Sequence, residues 1–211
     1  MKKTYYIFLF FSFIFCQFLS AQPELFRNNF NEYKDFSLSK QQVKELQKEG
    51  ELIIFNRDKH TTRFAKKLFS KKVGRSVKEK TRTGKEEYEV IARKKILHYR
   101  INYIFFDGDE NSYQSIEKSR QRMLNLLEKD YNFESIARQY SMDQNRYKGG
   151  DSGWFKIESV NEDFKNAITN TMRYADEVFR VDLPEQNWYY LVKKSYSPQK
   201  IEEILVIKHK K

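Results

Sequence analysis

Cysteine is almost absent from this chain of 211 residues, and histidine is scarce. Cys16 is the only cysteine, so the chain cannot form a disulfide within itself. The three histidines, His60, His98 and His209, show no ligand spacing with one another or with carboxylates, so no metal site is predicted. Each is interpreted as a surface or strand residue. We expect no cofactor.

Residues 1–21 have the order that is typical of a secretory signal peptide. Lys2 and Lys3 precede an apolar run over residues 5–15, and the segment ends in small residues before Gln22. A membrane anchor is the alternative interpretation. The apolar run is shorter than the ~20 residues that span a bilayer, so cleavage after residue 21 is favoured.

Cys16 lies inside this segment with Phe13 and Phe15, where a bacterial lipoprotein signal would need small or aliphatic residues. Lipidation is therefore not expected. The mature chain would hold no cysteine, and so no thiol nucleophile, even in an oxidising compartment. The protein is expected to be exported, to the periplasm or the cell envelope.

Residues 22–97 are predicted to form a small α+β unit. Ser39 is predicted to cap a helix that runs to Lys48, and Gly50 is predicted to end it. After this helix the pattern predicts a buried strand over residues 51–55, a helix over 61–69, and a hairpin with strands at 76–82 and 86–97 around a turn at 83–85.

Positive charge is concentrated in one module, residues 56–97, which carries fifteen Lys/Arg against five Asp/Glu. This module accounts for most of the formal net charge of +11. A solvated face is one interpretation. The other is a binding surface for an acidic partner, for lipid headgroups of a membrane or for a nascent chain. Nucleic acid is not an expected partner of an exported protein.

Three of the seven glycines, Gly149, Gly150 and Gly153, lie within five residues of one another. The segment that holds them, residues 133–155, has the sequence FESIARQYSMDQNRYKGGDSGWF. Its first part has the apolar spacing of a short helix, with Asn132 as its N-cap. The glycines favour a tight turn before Trp154. By itself, this pattern also fits an ordinary glycine-rich turn.

The order of helix, Tyr-Ser, polar loop, Gly-Gly-Asp-x-Gly-Trp-Phe and a following helix with Phe164 resembles the parvulin family of peptidyl-prolyl cis-trans isomerases. The resemblance covers residues 99–194. It implies an α+β fold in which a small, mostly antiparallel sheet is wrapped by helices, over residues 98–195. Its elements would be strands at 99–106, 177–181 and 188–193 and helices at 112–129 and 161–169. Residues 196–211 would form a tail in which 201–208 alternate like one more strand.

The resemblance also implies which residues form the site. Phe155, Val160 and Phe164 match apolar positions of the pocket that binds proline, and Ser152 stands where the family usually has leucine. Asp143 matches a position held by cysteine or aspartate. The family's two histidines are replaced, in this alignment, by Asn102 and Tyr189, which would form a neutral hydrogen-bond network. Asp143, Asn102 and Tyr189 are thus the expected catalytic residues. The expected substrate-binding residues are Ser152, Phe155, Val160 and Phe164.

The function implied is a peptidyl-prolyl isomerase that assists the folding of exported proteins, with proline-containing unfolded or nascent polypeptides as partners. The alternative is a non-catalytic chaperone that keeps the peptide groove and has lost the histidine pair.

Overall fold

The computed structural model describes residues 32–82 and 84–210, so the predicted signal peptide and Thr83 lie outside the described residues. The helices are α1 (Lys40–Glu49), α2 (Arg63–Phe69), α3 (Tyr113–Leu127), α4 (Phe133–Tyr140) and α5 (Glu162–Thr169). The strands are β1 (Gly50–Asn56), β2 (Ser76–Thr81), β3 (Gly84–Tyr99), β4 (Asn102–Asp107), β5 (Phe155–Lys156), β6 (Val178–Leu183), β7 (Trp188–Lys193) and β8 (Gln199–His209). Among these described elements, none of the helices has both the length and the apolar character needed to cross a membrane.

Local interactions fix both ends of α1. Ser39 Oγ accepts a hydrogen bond from the Gln42 N–H (3.2 Å), and the Gln42 side chain accepts one from the Ser39 N–H (2.9 Å). These reciprocal bonds satisfy two backbone donors at the start of the helix. Gly50 ends the helix, as predicted, with an extended backbone. A Cβ at Gly50 would lie 2.2 Å from the backbone oxygen of Lys208, so glycine permits the close approach of β8.

The first sheet has the strand order β1-β8-β3-β2, and β5 pairs with the end of β3. The extra strand predicted near the carboxy terminus is confirmed as β8, which lies between β1 and β3. Leu68 of α2 packs on one face of this sheet, against Phe55, Val90 and Val206. The last strand of the chain therefore completes the amino-terminal α+β unit.

The predicted hairpin turn at residues 83–85 is wrong by two positions. Gly84 pairs with Thr81, and Lys85 pairs with Lys80, so both belong to β3. Gly84 and Lys85 are therefore not part of the turn, and Thr83 lies outside the described residues.

The strand predicted over residues 99–106 is interrupted after Tyr99. Ile101 N–H donates to Ser152 Oγ, and Ile101 O accepts from the Ser152 N–H, each at 3.0 Å. The backbone N–H and C=O of Ile101 are thus hydrogen-bonded to the glycine-rich segment, and β4 begins only at Asn102.

The second sheet has the order β4-β7-β6, with antiparallel pairing throughout. Successive side chains of a strand point to opposite faces. Ile104 and Leu191 lie on the face covered by α3 and α4, whereas Tyr103 and Tyr190 lie on the face covered by α5. Both faces are therefore buried cores, and the α+β class predicted from the sequence is confirmed.

A buried cluster of charged side chains, centred on Glu203, ties the elements of the first sheet together. Glu203 Oε1 lies 3.0 Å from His98 Nε2 and accepts from Asn56 Nδ2 (2.9 Å), and Oε2 lies 2.7 Å from Lys156 Nζ. Lys156 also contacts Asp35 (2.8 Å). Burial alone would raise the pKa of the Glu203 carboxyl, but hydrogen bonds from His98, Lys156 and Asn56 outweigh it and lower the pKa to about 2.

Candidate functional site

The glycine-rich turn is held directly against β4. The Tyr103 N–H donates to Gly150 O (2.9 Å), and Gly149 and Gly150 have positive φ angles of 68° and 77°. A Cβ at Gly150 would lie 2.3 Å from Tyr103 O. Glycine is needed here for both the conformation and the space, and the contact fixes Tyr103 relative to the loop that carries Asp143.

Asp143 is oriented by two hydroxyl groups. Its Oδ2 accepts a hydrogen bond from the Tyr103 hydroxyl, and its Oδ1 accepts one from Ser141 Oγ, each at 2.8 Å. Ser141 Oγ in turn accepts from the Phe105 N–H (2.9 Å). Asp143 is thus a carboxylate with fixed geometry at the end of α4.

Two tyrosines on the same face as Asp143 remain protonated in the folded protein. Burial, and then the nearby Asp143 carboxylate, raises the pKa of Tyr103 far above its usual value. Burial and the charges of Asp143 and Asp107 do the same to the pKa of Tyr190. Both phenols are therefore neutral hydrogen-bond donors at physiological pH.

The three residues predicted to line the proline pocket come together beneath these tyrosines. Phe155, Val160 and Phe164 belong to one core cluster, and their exposed fractions are 5%, 1% and 0%. The Tyr190 ring covers Phe164, with ring centroids 5.1 Å apart and an edge-to-face angle of 74°. The Tyr103 ring is 5.8 Å from that of Tyr190. The arrangement is an apolar floor covered by two phenol rings with a carboxylate at its edge.

Residues 86–193 match the family described as the PPIC-type PPIASE domain, where PPIase denotes peptidyl-prolyl cis-trans isomerase. The match covers just over half of the chain. The chain belongs to this family. The resemblance to parvulin-type isomerases that the sequence predicted is therefore confirmed, and with it a parvulin-like domain preceded by a small basic α+β unit.

Two solved structures are similar to parts of the chain. PrsA from Bacillus subtilis is 28% identical, with a TM-score of 0.39, over 47% of this chain and 35% of PrsA. A PpiC-type peptidyl-prolyl cis-trans isomerase domain is 18% identical, with a TM-score of 0.41, over 49% of this chain and 93% of that domain. The similarity thus spans about a third of the length of PrsA. No curated protein matches the chain.

The PPIase domain does not bring Asn102 and Tyr189 together with Asp143. Asn102 Nδ2 donates to Gly149 O (3.1 Å), on the side of the sheet that faces α4. The Tyr189 ring lies 5.3 Å from that of Tyr113 in α3, in the core cluster of that same face. Both residues lie across the sheet from Phe164, and their hydrogen bonds go to Gly149 O and to Asn187 Oδ1, so no described hydrogen bond joins Asn102 to Tyr189.

The positions nearest Asp143 are one residue further along each strand, at Tyr103 and Tyr190. A one-residue shift in a strand moves a side chain to the opposite face. Sequence reasoning missed these tyrosines because both faces of β4 and β7 are apolar, so alternation gives no signal for the direction of a side chain. The hydrogen bond between Tyr103 and the glycine-rich turn determines which face of the sheet the Tyr103 side chain is on. This bond is a tertiary contact, which the local sequence does not reveal.

The hydroxyl of Ser152 is held by neighbouring backbone groups. Its Oγ accepts from the Ile101 N–H and donates to Gly153 O (2.9 Å), so the hydroxyl is occupied by local backbone groups. Ser152 lines a cavity of about 380 Å³ together with Trp154, Phe155 and Glu203. Its predicted part in substrate binding stays a prediction.

Stability at alkaline pH provides a test of the tyrosine environment. The folded state holds the phenol protons of Tyr103 and Tyr190 above pH 10, whereas the unfolded chain releases them near pH 10. Their contribution to stability is therefore complete below pH 10 and is lost as the pH rises above it. We expect Tyr103→Phe to flatten the fall in the free energy of unfolding, measured by urea denaturation between pH 9 and 11.

The exposed Tyr147 (67%) provides the control for this experiment. Tyr147→Phe should leave the pH dependence of the parent unchanged. An identical alkaline fall in the parent and in Tyr103→Phe would contradict a protonated, buried Tyr103.

Proposed function

We propose that the chain is a parvulin-type peptidyl-prolyl isomerase that assists the folding of exported proteins. The observation that carries the proposal is the Tyr190 hydroxyl, which is buried and has no hydrogen-bond partner among the residues that the structure describes. An unpaired buried hydroxyl costs about 1–3 kcal/mol. A substrate atom that accepted a hydrogen bond from this hydroxyl would recover this free energy, and the chain has a domain of the PPIase family.

The reaction needs binding energy and no bond breaking. Rotation about the bond before proline has a barrier of ~20 kcal/mol. Twisting the amide localises the lone pair on the proline nitrogen and removes negative charge from the carbonyl oxygen. A site that binds the twisted amide more tightly than the planar one lowers the barrier.

Tyr190 and Asp143 have the chemistry to favour the twisted amide. In our proposal the Tyr190 hydroxyl donates to the proline nitrogen, whose lone pair is available only when the amide is twisted. The Asp143 carboxylate, oriented by Tyr103 and Ser141, disfavours the planar form, because that form carries negative charge on its oxygen. Neither role requires a proton transfer, so a neutral pair of tyrosines can replace titratable groups.

Proline would bind against Phe155, Val160 and Phe164, as predicted from the sequence. Since Phe164 is fully buried beneath the Tyr190 ring, that ring must move to admit substrate. No hydrogen bond of its hydroxyl to a described residue opposes the movement. We therefore propose that substrate binding displaces the Tyr190 ring.

The clients proposed are unfolded or nascent exported polypeptides that contain proline. Export rests on the signal-like order of residues 1–21, and the periplasm or cell envelope is the proposed location.

The second candidate is a non-catalytic chaperone that binds peptides without turnover. The observation in its favour is the burial of the pocket floor, since Phe164 and Val160 are only 0% and 1% exposed. In this candidate Tyr103 and Tyr190 fill the groove as packed side chains and have no catalytic role.

An isomerisation assay on a proline-containing peptide distinguishes the two candidates. We expect the parent to accelerate cis-trans interconversion and Tyr190→Phe to lower kcat/KM roughly 100- to 1,000-fold, the usual range for one positioned hydrogen-bond donor. The stability of this variant should be unchanged or higher, because the hydroxyl it removes has no partner among the described residues.

The adjacent Tyr189 supplies a matched control, since it carries the same side chain on the opposite face of the sheet. Tyr189→Phe should retain the parent's kcat/KM within about twofold. Equal losses in both variants would contradict the role of the Tyr190 hydroxyl. A parent that binds the peptide without accelerating its isomerisation would favour the chaperone.

A further inference from the structure

Two exposed apolar side chains, Val73 and Leu97, lie within the basic module, and we name the region around them the Val73–Leu97 surface. It consists of the loop after α2 (residues 70–75) and the outward side chains at the end of β3. Every residue of the loop is exposed. Val73 is 55% exposed and Leu97 is 42% exposed.

The loop is held in one conformation by backbone hydrogen bonds and by Arg93. Arg93 Nη2 donates to Phe69 O (2.8 Å) and to Lys71 O (2.6 Å). The Gly74 N–H donates to Val90 O (2.8 Å). Val73 is therefore presented to solvent on a fixed loop, and its exposure does not come from a poorly anchored backbone.

The strand portion lies on the same side of the sheet as the loop. Arg93, Lys95 and Leu97 alternate along β3 and therefore share one face. Arg93 is paired with Ile204, which packs in the core beneath α2. Since paired residues of neighbouring strands point to the same face, this exposed row continues the face that α2 covers.

Positive charge dominates this surface. Lys71, Lys72, Arg75 and Lys95 are exposed, and none of them forms an ion pair with another residue of the described ranges 32–82 and 84–210. Glu202, the carboxylate of the neighbouring strand, is already bound by Arg57 and Arg93. The surface therefore has unpaired cations on both sides of an apolar tip.

We propose that the Val73–Leu97 surface binds an anionic phospholipid bilayer, with Val73 entering the interface between headgroups and acyl chains. A bilayer offers a continuous field of negative charge, which fits cations spread over a loop and a strand face. The two apolar side chains stand singly and form no groove for a peptide, whereas a single apolar residue flanked by cations suits an interface. The proposal is independent of isomerase activity and would hold for either candidate function.

Vesicle binding tests the proposal. The chain from Gln22 onward would be mixed with vesicles of phosphatidylcholine alone or with phosphatidylglycerol added, and the bound fraction measured by co-sedimentation. We expect binding only to the anionic vesicles, weakening as salt is raised. The triple variant Lys71→Gln/Lys72→Gln/Arg75→Gln should reduce the partition coefficient roughly a hundredfold, and Val73→Ser should reduce it with the charge unchanged.

A control with the same loss of charge separates local contact from net charge. Lys118→Gln/Lys129→Gln/Lys148→Gln removes three lysines of the PPIase domain and should change vesicle binding less than about threefold. Equal effects of the two triple variants, or equal binding to neutral vesicles, would overturn the proposal. The proposal would also be overturned if the parent bound an acidic unfolded polypeptide but no vesicles, and if the triple loop variant lost that polypeptide binding.

Discussion

Replacing Phe164 with alanine is expected to lower the free energy of unfolding by about 3–5 kcal/mol, the range for a large-to-small change of a buried aromatic residue. Phe164 is fully buried, and its ring packs edge-to-face on that of Tyr190. α5, which carries Phe164, has only eight residues, so it has few other side chains to hold it against the sheet when this contact is lost. Urea denaturation of parent and variant measures the difference.

Phe164→Leu is the conservative comparison, because it keeps an apolar side chain in the same cluster. It should cost less than half as much as the alanine change. A variant Phe164→Ala that is as stable as the parent would contradict the burial of this residue. Helical spacing predicts Phe164 as a core residue, and only the family resemblance makes it a site residue. Because it is buried, any loss of peptide binding must be measured on a variant that remains folded. Phe164→Leu meets that condition.

Much of the secondary structure could be predicted because its determinants are local. Ser39, Asn132 and Asn161 each accept a hydrogen bond from a backbone N–H two or three residues ahead, which is the interaction that an N-cap pattern predicts. The strand at the carboxy terminus was predicted from alternation within eight residues. These signals do not depend on the rest of the chain.

The side-chain directions in the site could not be predicted in this way. Whether Asn102 or Tyr103 faces Asp143 depends on the point at which β4 begins, and that point is set by the bonds between Ile101 and Ser152. These residues are separated by about fifty positions in the chain. The family resemblance alone indicated Asn102 and Tyr189, whereas the tyrosines on the same face as Asp143 are one residue further along each strand.

Buried charges form a second group that sequence patterns miss. Arg120 has 0% exposure and contacts Asp182 and Glu117 from within α3, although an arginine in an amphipathic helix is expected on the solvated face. Its partner Asp182 lies 62 positions away. Glu203 is the second buried charge. Alternation over residues 201–208 predicts a strand but does not reveal which cations contact the buried Glu203 carboxylate.

Replacing Glu203 with alanine is expected to destabilise the protein by about 3–5 kcal/mol at pH 7, the range for removing one partner of a buried ion pair. Glu203 is 3% exposed, and its loss would leave Lys156 and His98 without the carboxylate between them. The effect should reach beyond β8, because the cluster also holds Asn56 of β1. Chemical denaturation measures the change, and Glu185→Ala, an exposed carboxylate, should have little effect.

The same carboxylate predicts how stability depends on acid. Its pKa is lowered to about 2 in the folded protein, whereas the unfolded chain has an ordinary value of 4.5. The folded state therefore binds fewer protons than the unfolded state between these values. The stability contributed by Glu203 is complete above pH 4.5 and is lost as the pH falls towards 2.

Glu203→Gln keeps the shape of the side chain but cannot titrate, so the stability difference between parent and variant should shrink from pH 7 to pH 3. A difference that stays constant over this interval would mean that Glu203 is not the ionised centre of the cluster.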